Sequence, residues 1–425
     1  MKSILWLTAI LGFAVLQPGY LVAQPTSTGN VDHAGHSHSQ PGVGTDQVSK
    51  VIDVTPESPE FKEATGNLRK ILRQLLELEL RFHNSSTTEE EKRYRKQWYE
   101  MRENIWEPHR AMLHAGLAEY VASPEKKQQL ADFLFNSLKR NVETDCYEGM
   151  LPVARALYEN KYPSPAVPGL FALCCLADNE FEQARQPLGE LIESGQAQPE
   201  LQDIYENLDS LSAAWKEELN FQQADAAGPP LPQARILTSK GTVVVELFEN
   251  QAPVAVANFV ALAEKGFYDN MPLFLVLTNL LAQTGCPKGD GTGGPGYFIP
   301  AESDDLPKRR VFRGSVALNL LPDLPDSGGS QFMISYLPLS RLENDCRVFG
   351  RVISGMPNVA RFNRIDPTAE KKKDDKPVEL DKIVSIEITG KRNHPYEPDR
   401  IAQPFRGDPP PFLTPGGTVP PPIAQ

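Results

Sequence analysis

Cysteine is scarce in this sequence. The 425 residues include five cysteines, Cys146, Cys174, Cys175, Cys286 and Cys346. None is spaced as C-x-x-C, so neither a zinc ribbon nor a thioredoxin-like redox site is indicated. A fold built on disulfides is not expected, and because five is odd, at least one thiol stays free or pairs between molecules.

Basic side chains are outnumbered by acidic ones. The 43 lysines and arginines stand against 55 aspartates and glutamates, a formal net charge of −12. No basic face able to neutralise phosphates is evident, so no nucleic-acid partner is predicted. Long apolar runs are also lacking, since none after the N-terminus could span a bilayer.

The N-terminus combines a basic start with a short apolar run. Lys2 precedes the run from Ile4 to Leu16, Pro18 breaks it, and small Ala23 follows. This order is typical of a secretory signal peptide over residues 1–23. A membrane anchor is the alternative, disfavoured because the run is short. We expect an exported protein, periplasmic or extracellular, with no stable membrane span after cleavage.

Residues 24–57 are rich in Ser, Thr, Gly, Pro and Gln. Such a segment buries too little apolar surface to fold, which predicts a disordered linker. It contains His33, His36 and His38, which suggest a loose metal-binding tract as an alternative. We favour a solvated linker, because flexible ligands lack a packed environment to orient them. No metal or cofactor is predicted.

From residue 58 to 227 the apolar period becomes helical. Apolar residues recur at three- and four-residue steps and would form one stripe along a helix. They are Leu68, Ile71, Leu72, Leu75, Leu76 and Leu80. Further helices are predicted around 89–103, 108–122 and 124–142. This segment is therefore predicted to be an all-α domain.

Residues 170–188 resemble one helix–turn–helix of a tetratricopeptide-type repeat. The packing positions are held by Leu173, Phe181, Ala184 and Leu188, whereas Pro187 departs from the pattern. Repeat-like helical hairpins present extended binding surfaces, so we expect a protein partner for the helical domain.

A proline-rich joint, residues 226–232, ends the helical part. Residues 235–238 and 242–248 are rich in β-branched residues, and Lys240-Gly241 between them indicates a turn. A β-hairpin is predicted here.

Helix and strand signals continue beyond this hairpin. Pro253 begins a predicted helix that Gly266 ends, and residues 384–388 alternate as a half-buried strand. The charge run 369–376 is predicted to be a solvated loop. The proline-rich tail, residues 393–425, is predicted to be disordered.

Four blocks occur in a recognisable order. They are APVAVANFVALAEKGFYD (252–269), GDGTGGPGY (289–297), GGSQFMIS (328–335) and VFGRVISGM (348–356). On these motifs, residues 235–391 resemble the cyclophilin family of peptidyl-prolyl cis–trans isomerases. The resemblance implies an eight-stranded antiparallel β-barrel with two capping helices, placed at residues 233–392. It also implies proline-containing polypeptides as partners and no cofactor.

Isomerisation of an X–Pro amide has a barrier of about 18–20 kcal/mol, because the C–N bond loses double-bond character. A catalyst needs an apolar pocket for the proline ring, donors for the preceding carbonyl, and a fixed cation near the proline nitrogen. The cation acts differentially, since the nitrogen lone pair becomes localised only in the twisted transition state. In the family this cation is an arginine.

Leu275 stands at the position of that arginine. The family's pocket phenylalanine and methionine become Leu280 and Leu281, while its glutamine is kept as Gln283. The pocket thus stays apolar but loses its cation. We expect catalysis to be weak or lost.

The downstream half of the pocket is also altered. Gln331 matches the family pattern, Met333 replaces a phenylalanine, and Arg341 replaces a rim tryptophan before a matching Leu342. Cys346 stands at the family's histidine. Arg341 is the only nearby cation, but rescue by it requires placement within about 3 Å of the reacting group and is not expected.

Two roles for Cys346 stay open. It is either a redox-active thiol or a small buried hydrophobe, which is the commoner role of cysteine. The sequence does not decide whether it pairs with Cys286.

Gly289–Gly294 also spells G-x-G-x-x-G, a nucleotide-binding pattern. That function needs a helix to begin directly after the glycines, but Pro295 and Gly296 follow. The glycines are assigned to a tight loop beside the proline pocket.

Two functions remain. The first is an exported cyclophilin-type isomerase acting on X–Pro bonds of exported proteins, with catalysis weak or lost. The alternative is a non-catalytic module that binds proline segments or serves as a scaffold, combined with a helical interaction domain.

Overall fold

The computed structural model describes residues 52–195, 197–342, 344–369 and 378–402. The predicted signal peptide, most of the linker, nearly all of the charged loop and most of the tail lie outside these residues. Spatial contacts divide the chain into two units, residues 1–141 and 142–425. Composition alone placed the division at residues 226–232.

The first unit is helical. Its helices are α1 (Pro59–His83), α2 (Thr88–Glu103), α3 (Trp106–Ala122) and α4 (Gln128–Glu143), whose last two residues belong to the second unit. Helix α1 begins where the Ser58 hydroxyl accepts a hydrogen bond from the Phe61 amide at 3.2 Å. Its leucine stripe is buried as far as Leu76 and packs against α2 and α3, whereas Leu80 is exposed.

The second unit begins with further helices. These are α5 (Leu151–Glu159), α6 (Val167–Ala177), α7 (Phe181–Glu193), α8 (Pro199–Glu206) and α9 (Leu208–Ala227). Helices α6 and α7 pack as a hairpin. Phe181, Ala184 and Leu188 are buried in it and Leu173 is half-buried. Pro187 lies buried inside α7. The predicted helical segment is therefore present.

Eight antiparallel strands follow. They are β1 (Gln233–Thr238), β2 (Gly241–Leu247), β3 (Leu275–Leu277), β4 (Leu281–Thr284), β5 (Ser315–Asn319), β6 (Phe332–Ser335), β7 (Cys346–Ser354) and β8 (Ile383–Thr389). Their order in the sheet is β3-β4-β6-β5-β7-β2-β1-β8. The sheet curls until its ends meet, where the Leu273 amide donates to the Asp381 carbonyl and the Ile383 amide to the Met271 carbonyl, both at 2.8 Å.

Two helices accompany the sheet, α10 (Pro253–Glu264) and α11 (Met356–Ala360). Helix α10 packs against β7 and β8, and Phe259 on it contacts the rings of Tyr268, Phe332 and Phe349 with centroids 5.2–5.6 Å apart. This aromatic group fills the inside of the curled sheet. The cyclophilin-like architecture that the sequence implied is confirmed.

The described ends of the predicted linker and tail contact the folded parts of their own units. Ile52 and Val54 are buried in the first unit. Beyond β8, Ile401 forms a two-way backbone pair with Phe298, at 2.8 and 2.9 Å. Both segments have low apolar content overall, so their composition did not indicate the contacts of Ile52, Val54 and Ile401.

Candidate functional site

One row of cross-strand neighbours defines the outer face of the sheet. Leu275 lies opposite Gln283, Gln283 opposite Met333, and Met333 opposite Ala317. Directly opposed residues point to the same face. Their chain neighbours, such as Val276 and Ala282, point into the aromatic interior instead.

The outer face carries its own apolar cluster. We call it the outer cluster, and its buried members are Leu231, Phe248, Phe274, Leu275, Leu281, Cys286, Val311, Ala317, Met333, Leu339, Cys346 and Val348. Leu280 and Leu342 are half-buried and pack against it. The positions that the sequence assigned to a proline pocket therefore lie together. The side chain at the family's arginine position, Leu275, is only 3% exposed.

The two glutamines are held by hydrogen bonds. Gln283 Nε2 donates to Gln331 Oε1 at 3.2 Å, and Gln331 Nε2 donates to the carbonyls of Gly291 and Gly293 at 2.8 and 2.9 Å. Both side chains are buried. Gln283 Oε1 is buried with no hydrogen-bond partner among the described residues. The amide donors of Gln331 are thus engaged by the glycine loop.

The glycine loop requires its glycines for backbone reasons. Gly289 and Gly291 have φ of +70° and +84°, a region that side chains disfavour. At Gly285, just before the loop, an added Cβ would lie 2.1 Å from the Ser330 carbonyl oxygen. Among the described residues no α-helix begins after Gly294 until α11. The loop supports Gln331, as its two carbonyl contacts show.

Arg341 lies at the rim and pairs with a helix. Its side chain is 60% exposed, and its Nε lies 3.4 Å from Asp203 Oδ1 on α8. The other predicted site residues belong to the outer cluster or to its glutamine network.

All five cysteines lie within the described residues, where they are buried and form no disulfide. Cys286 and Cys346 share the outer cluster without being bonded to each other. Cys286 Sγ accepts a hydrogen bond from the Gly293 amide at 3.1 Å, so this thiol anchors the glycine loop.

Sequence reasoning missed a polar junction at Asp145. Asp145 Oδ1 accepts from the Asn279 amide at 2.8 Å, and Arg364 Nη2 donates to Asp145 Oδ2 at 2.6 Å. Tyr147 donates its hydroxyl proton to Asn279 Oδ1 at 2.8 Å. Burial raises the pKa of Asp145 to about 6, although Arg364 acts to lower it. Partners 134 residues apart leave no periodic signal in a sequence.

A second missed junction surrounds Arg309, whose side chain is fully buried. Its guanidinium lies 3.6 Å from the centroid of Phe248, and Nη1 lies 3.0 Å from Glu218 Oε1. Asp225 and Gln251 also accept from Nη2. Burial raises the pKa of Glu218, and Arg309 opposes that shift. A buried cation with two carboxylates ties α9 to the barrel.

The described residues were compared with the requirements of a metal site and of a membrane-spanning helix. Within them, no group of three or more His, Cys, Asp or Glu side chains is arranged to hold a metal ion. No helix there combines the length and apolar character needed to cross a bilayer.

Comparison with known proteins places the barrel in a family. Residues 234–388 match the model of the cyclophilin-type peptidyl-prolyl cis-trans isomerase family. A peptidyl-prolyl cis-trans isomerase of Helicobacter pylori is 42% identical over 121 residues, which are 28% of this chain and 72% of that protein. One from Synechococcus elongatus is 40% identical over 121 residues, 28% of this chain and 80% of that protein.

Similar structures include a Cryptosporidium parvum cyclophilin-type isomerase crystallised in the presence of the dipeptide Ala-Pro. It is 30% identical, covers 36% of this chain and 96% of its own, and superposes with a TM-score of 0.31. With the matched relatives covered over more than two thirds of their length, the chain belongs to the cyclophilin-type peptidyl-prolyl cis–trans isomerase family.

Proposed function

We propose that this chain is an exported cyclophilin-type protein in which isomerisation of X–Pro bonds is lost. In this proposal the barrel serves chiefly as a non-catalytic module that carries the helices of the second unit. The observation that carries it is Leu275, a buried aliphatic side chain in the row that contains Gln283.

The loss of the cation has a predictable size. Removal of one preorganised group that stabilises a transition state lowers the rate on the order of 10²- to 10³-fold. Leu275 cannot stabilise the localised nitrogen lone pair, and Arg341 is engaged with Asp203 at 3.4 Å. The donors of Gln331 are taken up by the glycine loop. The site therefore keeps an apolar lining but few means of stabilising the transition state.

The alternative function is an isomerase with residual activity on exported clients. It is favoured by the intact apolar lining and by Gln283, since the apolar cluster can still desolvate an X–Pro amide. The helices of the second unit would then recruit the client protein.

A rate assay separates these functions. The chain from residue 24 to 425 is added to an X–Pro tetrapeptide, and the cis-to-trans rate constant is compared with that produced by the Helicobacter pylori relative. We expect the rate to remain within about twofold of the uncatalysed background. A rate equal to that of the relative at the same concentration would refute the proposal.

Export is tested separately. The proposal expects the protein outside the cytoplasm with an N-terminus at Gln24, measured by fractionation and N-terminal mass spectrometry. A cytoplasmic protein that retains Met1 would contradict it.

A further inference from the structure

Three loops border the outer cluster, and the helical part of the second unit, with the connections between its helices, contacts all three. The first is the β3–β4 turn, where Asn279 precedes the half-buried Leu280. Its backbone amide donates to Asp145 and its side chain accepts from Tyr147, both at 2.8 Å. The turn that presents the first pocket residues is thus fixed by residues between α4 and α5.

The second loop is residues 309–313, which includes Val311 of the outer cluster. Phe312 contacts Trp215 of α9 edge-to-face with centroids 4.9 Å apart, and it also lies 6.1 Å from Phe181 of α7. Arg313 Nη2 lies 2.8 Å from Glu148 Oε1. This loop is therefore held by aromatic and charged groups from different parts of the helical segment.

The third loop is the 3₁₀ turn Ser340–Leu342, which follows Leu339 of the outer cluster. Helix α8 packs against this turn, and Asp203 on α8 pairs with Arg341. Three half-buried residues pack against the cluster, Leu277 in β3 and the two turn residues Leu280 and Leu342. Each of the two turn residues lies in a turn that the helical segment contacts. The helical segment therefore reaches the cluster from more than one side.

We propose that residues 144–227, which we call the covering segment, close the substrate face of the barrel. In this chain the surface that corresponds to the family's proline site is an intramolecular docking surface, and its occupant is the covering segment itself. The inference depends on the proposed function only for the location of the site, and it holds whether or not the chemistry is lost.

The chemistry of the contacts explains why closure is specific. Asp145 has φ of +61°, which Asp and Asn tolerate better than most residues. In that conformation one carboxylate joins the Asn279 amide and the Arg364 guanidinium. Arg309 is buried with Glu218 and Asp225, so separation of the segment would leave charges without their partners.

Accessibility of a thiol at the rim tests this proposal. Leu280→Cys is introduced into the chain 24–425, and its alkylation by a small maleimide is timed by peptide mass spectrometry. The native cysteines are buried and serve as internal references. A second chain with Ile353→Cys, an exposed position on β7, gives the rate for an open thiol.

The segment is loosened by Asp145→Asn, Tyr147→Phe and Asp203→Asn together. The matched control is Glu246→Gln, which removes the partly exposed 2.8 Å pair with Arg351 between the neighbouring strands β2 and β7. We expect labelling at residue 280 to be at least tenfold slower than at residue 353, and to rise at least tenfold in the loosened chain only. Equal rates at 280 and 353, or no rise on loosening, overturn the proposal.

A locking experiment covers the case in which the loosened chain fails to fold. Asp203→Cys and Arg341→Cys are bridged with one equivalent of a short bismaleimide, and the thiol that stays free at residue 280 in the Leu280→Cys chain is then labelled. Bridging is expected to slow labelling at residue 280 at least threefold relative to singly capped chains. An unchanged rate overturns the proposal. Because labelling measures access and the tetrapeptide assay measures chemistry, failure of one is distinguishable from failure of the other.

Discussion

Leu275 lies directly opposite Gln283 across β3 and β4, and Gln283 carries a buried amide oxygen with no partner among the described residues. A buried acceptor left unsatisfied costs free energy of about 1–3 kcal/mol. We expect a donor introduced at position 275, directly opposite on β3, to satisfy it. The site thus keeps the acceptor on one strand while the other strand has lost its cation.

We predict that Leu275→Arg is better tolerated than an ordinary buried charge. A lone buried cation is strongly destabilising, but residue 275 lies opposite Gln283, whose Oε1 has no partner among the described residues and is expected to accept from the guanidinium. The expected free-energy loss is smaller than that of Leu275→Arg combined with Gln283→Leu, by about 1–3 kcal/mol. Urea unfolding of the four chains of this double-mutant cycle measures the difference. Strict additivity contradicts the pairing.

We predict that Arg309→Met destabilises the second unit by about 3–5 kcal/mol, because Glu218 and Asp225 stay buried without their cation. The matched control is Lys391→Met. It removes a half-exposed pair with Glu264 and is expected to cost less than about 1 kcal/mol. Thermal unfolding of both variants checks this, and equal losses would contradict the assigned role of Arg309.

The pH dependence of stability should carry a signature of Asp145. Burial raises the pKa of Asp145 from its ordinary value of 3.8 to about 6, so the folded chain binds this proton more tightly than the unfolded chain. Its contribution is fully present below about pH 4 and is lost as pH rises through about 6. The full effect is about 3 kcal/mol. Burial also raises the pKa of Asp178 to about 6. Asp178 therefore adds a second loss of unfolding free energy as the pH rises.

Asp145→Asn isolates that contribution. The difference in unfolding free energy between the unmodified chain and this variant should change with pH between about 4 and 6 and be flat above about pH 7. Urea titrations at several pH values measure it. A difference that grows in the opposite direction, with the unmodified chain gaining on the variant as pH rises, contradicts the assigned cause.

Two glycines with similar φ allow a matched test of how closely the Ser330 carbonyl approaches Gly285. Gly285 and Gly296 have φ of +88° and +85°, but an added Cβ meets the Ser330 carbonyl at 2.1 Å only at Gly285, while nothing lies within 4 Å at Gly296. Gly296→Ala should cost about 1–2 kcal/mol from backbone strain. Gly285→Ala should cost a further ~1–3 kcal/mol from overpacking. Equal losses on thermal unfolding would contradict the close approach of Ser330 to Gly285.

Much of the barrel could be predicted from local signals. The β-branched residues of 242–248 and the turn at Lys240-Gly241 indicated the hairpin that β1 and β2 form. Pro253 marked the start of α10. The apolar lining of the outer cluster followed from the order of the motifs, because each block occupies a fixed place in the family's sheet.

The contacts between the covering segment and the barrel could not be predicted from such local signals. Asp145 and Asn279 are polar, isolated in sequence and 134 residues apart, so neither periodicity nor composition marks them. Arg309 in a charged loop is expected to be solvated, yet aromatic rings and carboxylates bury it fully. The composition of the proline-rich joint likewise separated the helices from the barrel, whereas buried ion pairs join them.

The measurement that tests the central claim most directly is the isomerisation rate of an Ala–X–Pro tetrapeptide, followed by exchange spectroscopy. The unmodified chain and the chains that carry Leu275→Arg are compared at equal concentrations. We predict that the unmodified chain leaves the exchange rate at its uncatalysed value. Leu275→Arg, combined with the loosening substitutions at Asp145, Tyr147 and Asp203, should raise it at least tenfold. An unmodified chain that already accelerates exchange as strongly as the Helicobacter pylori relative would contradict this claim.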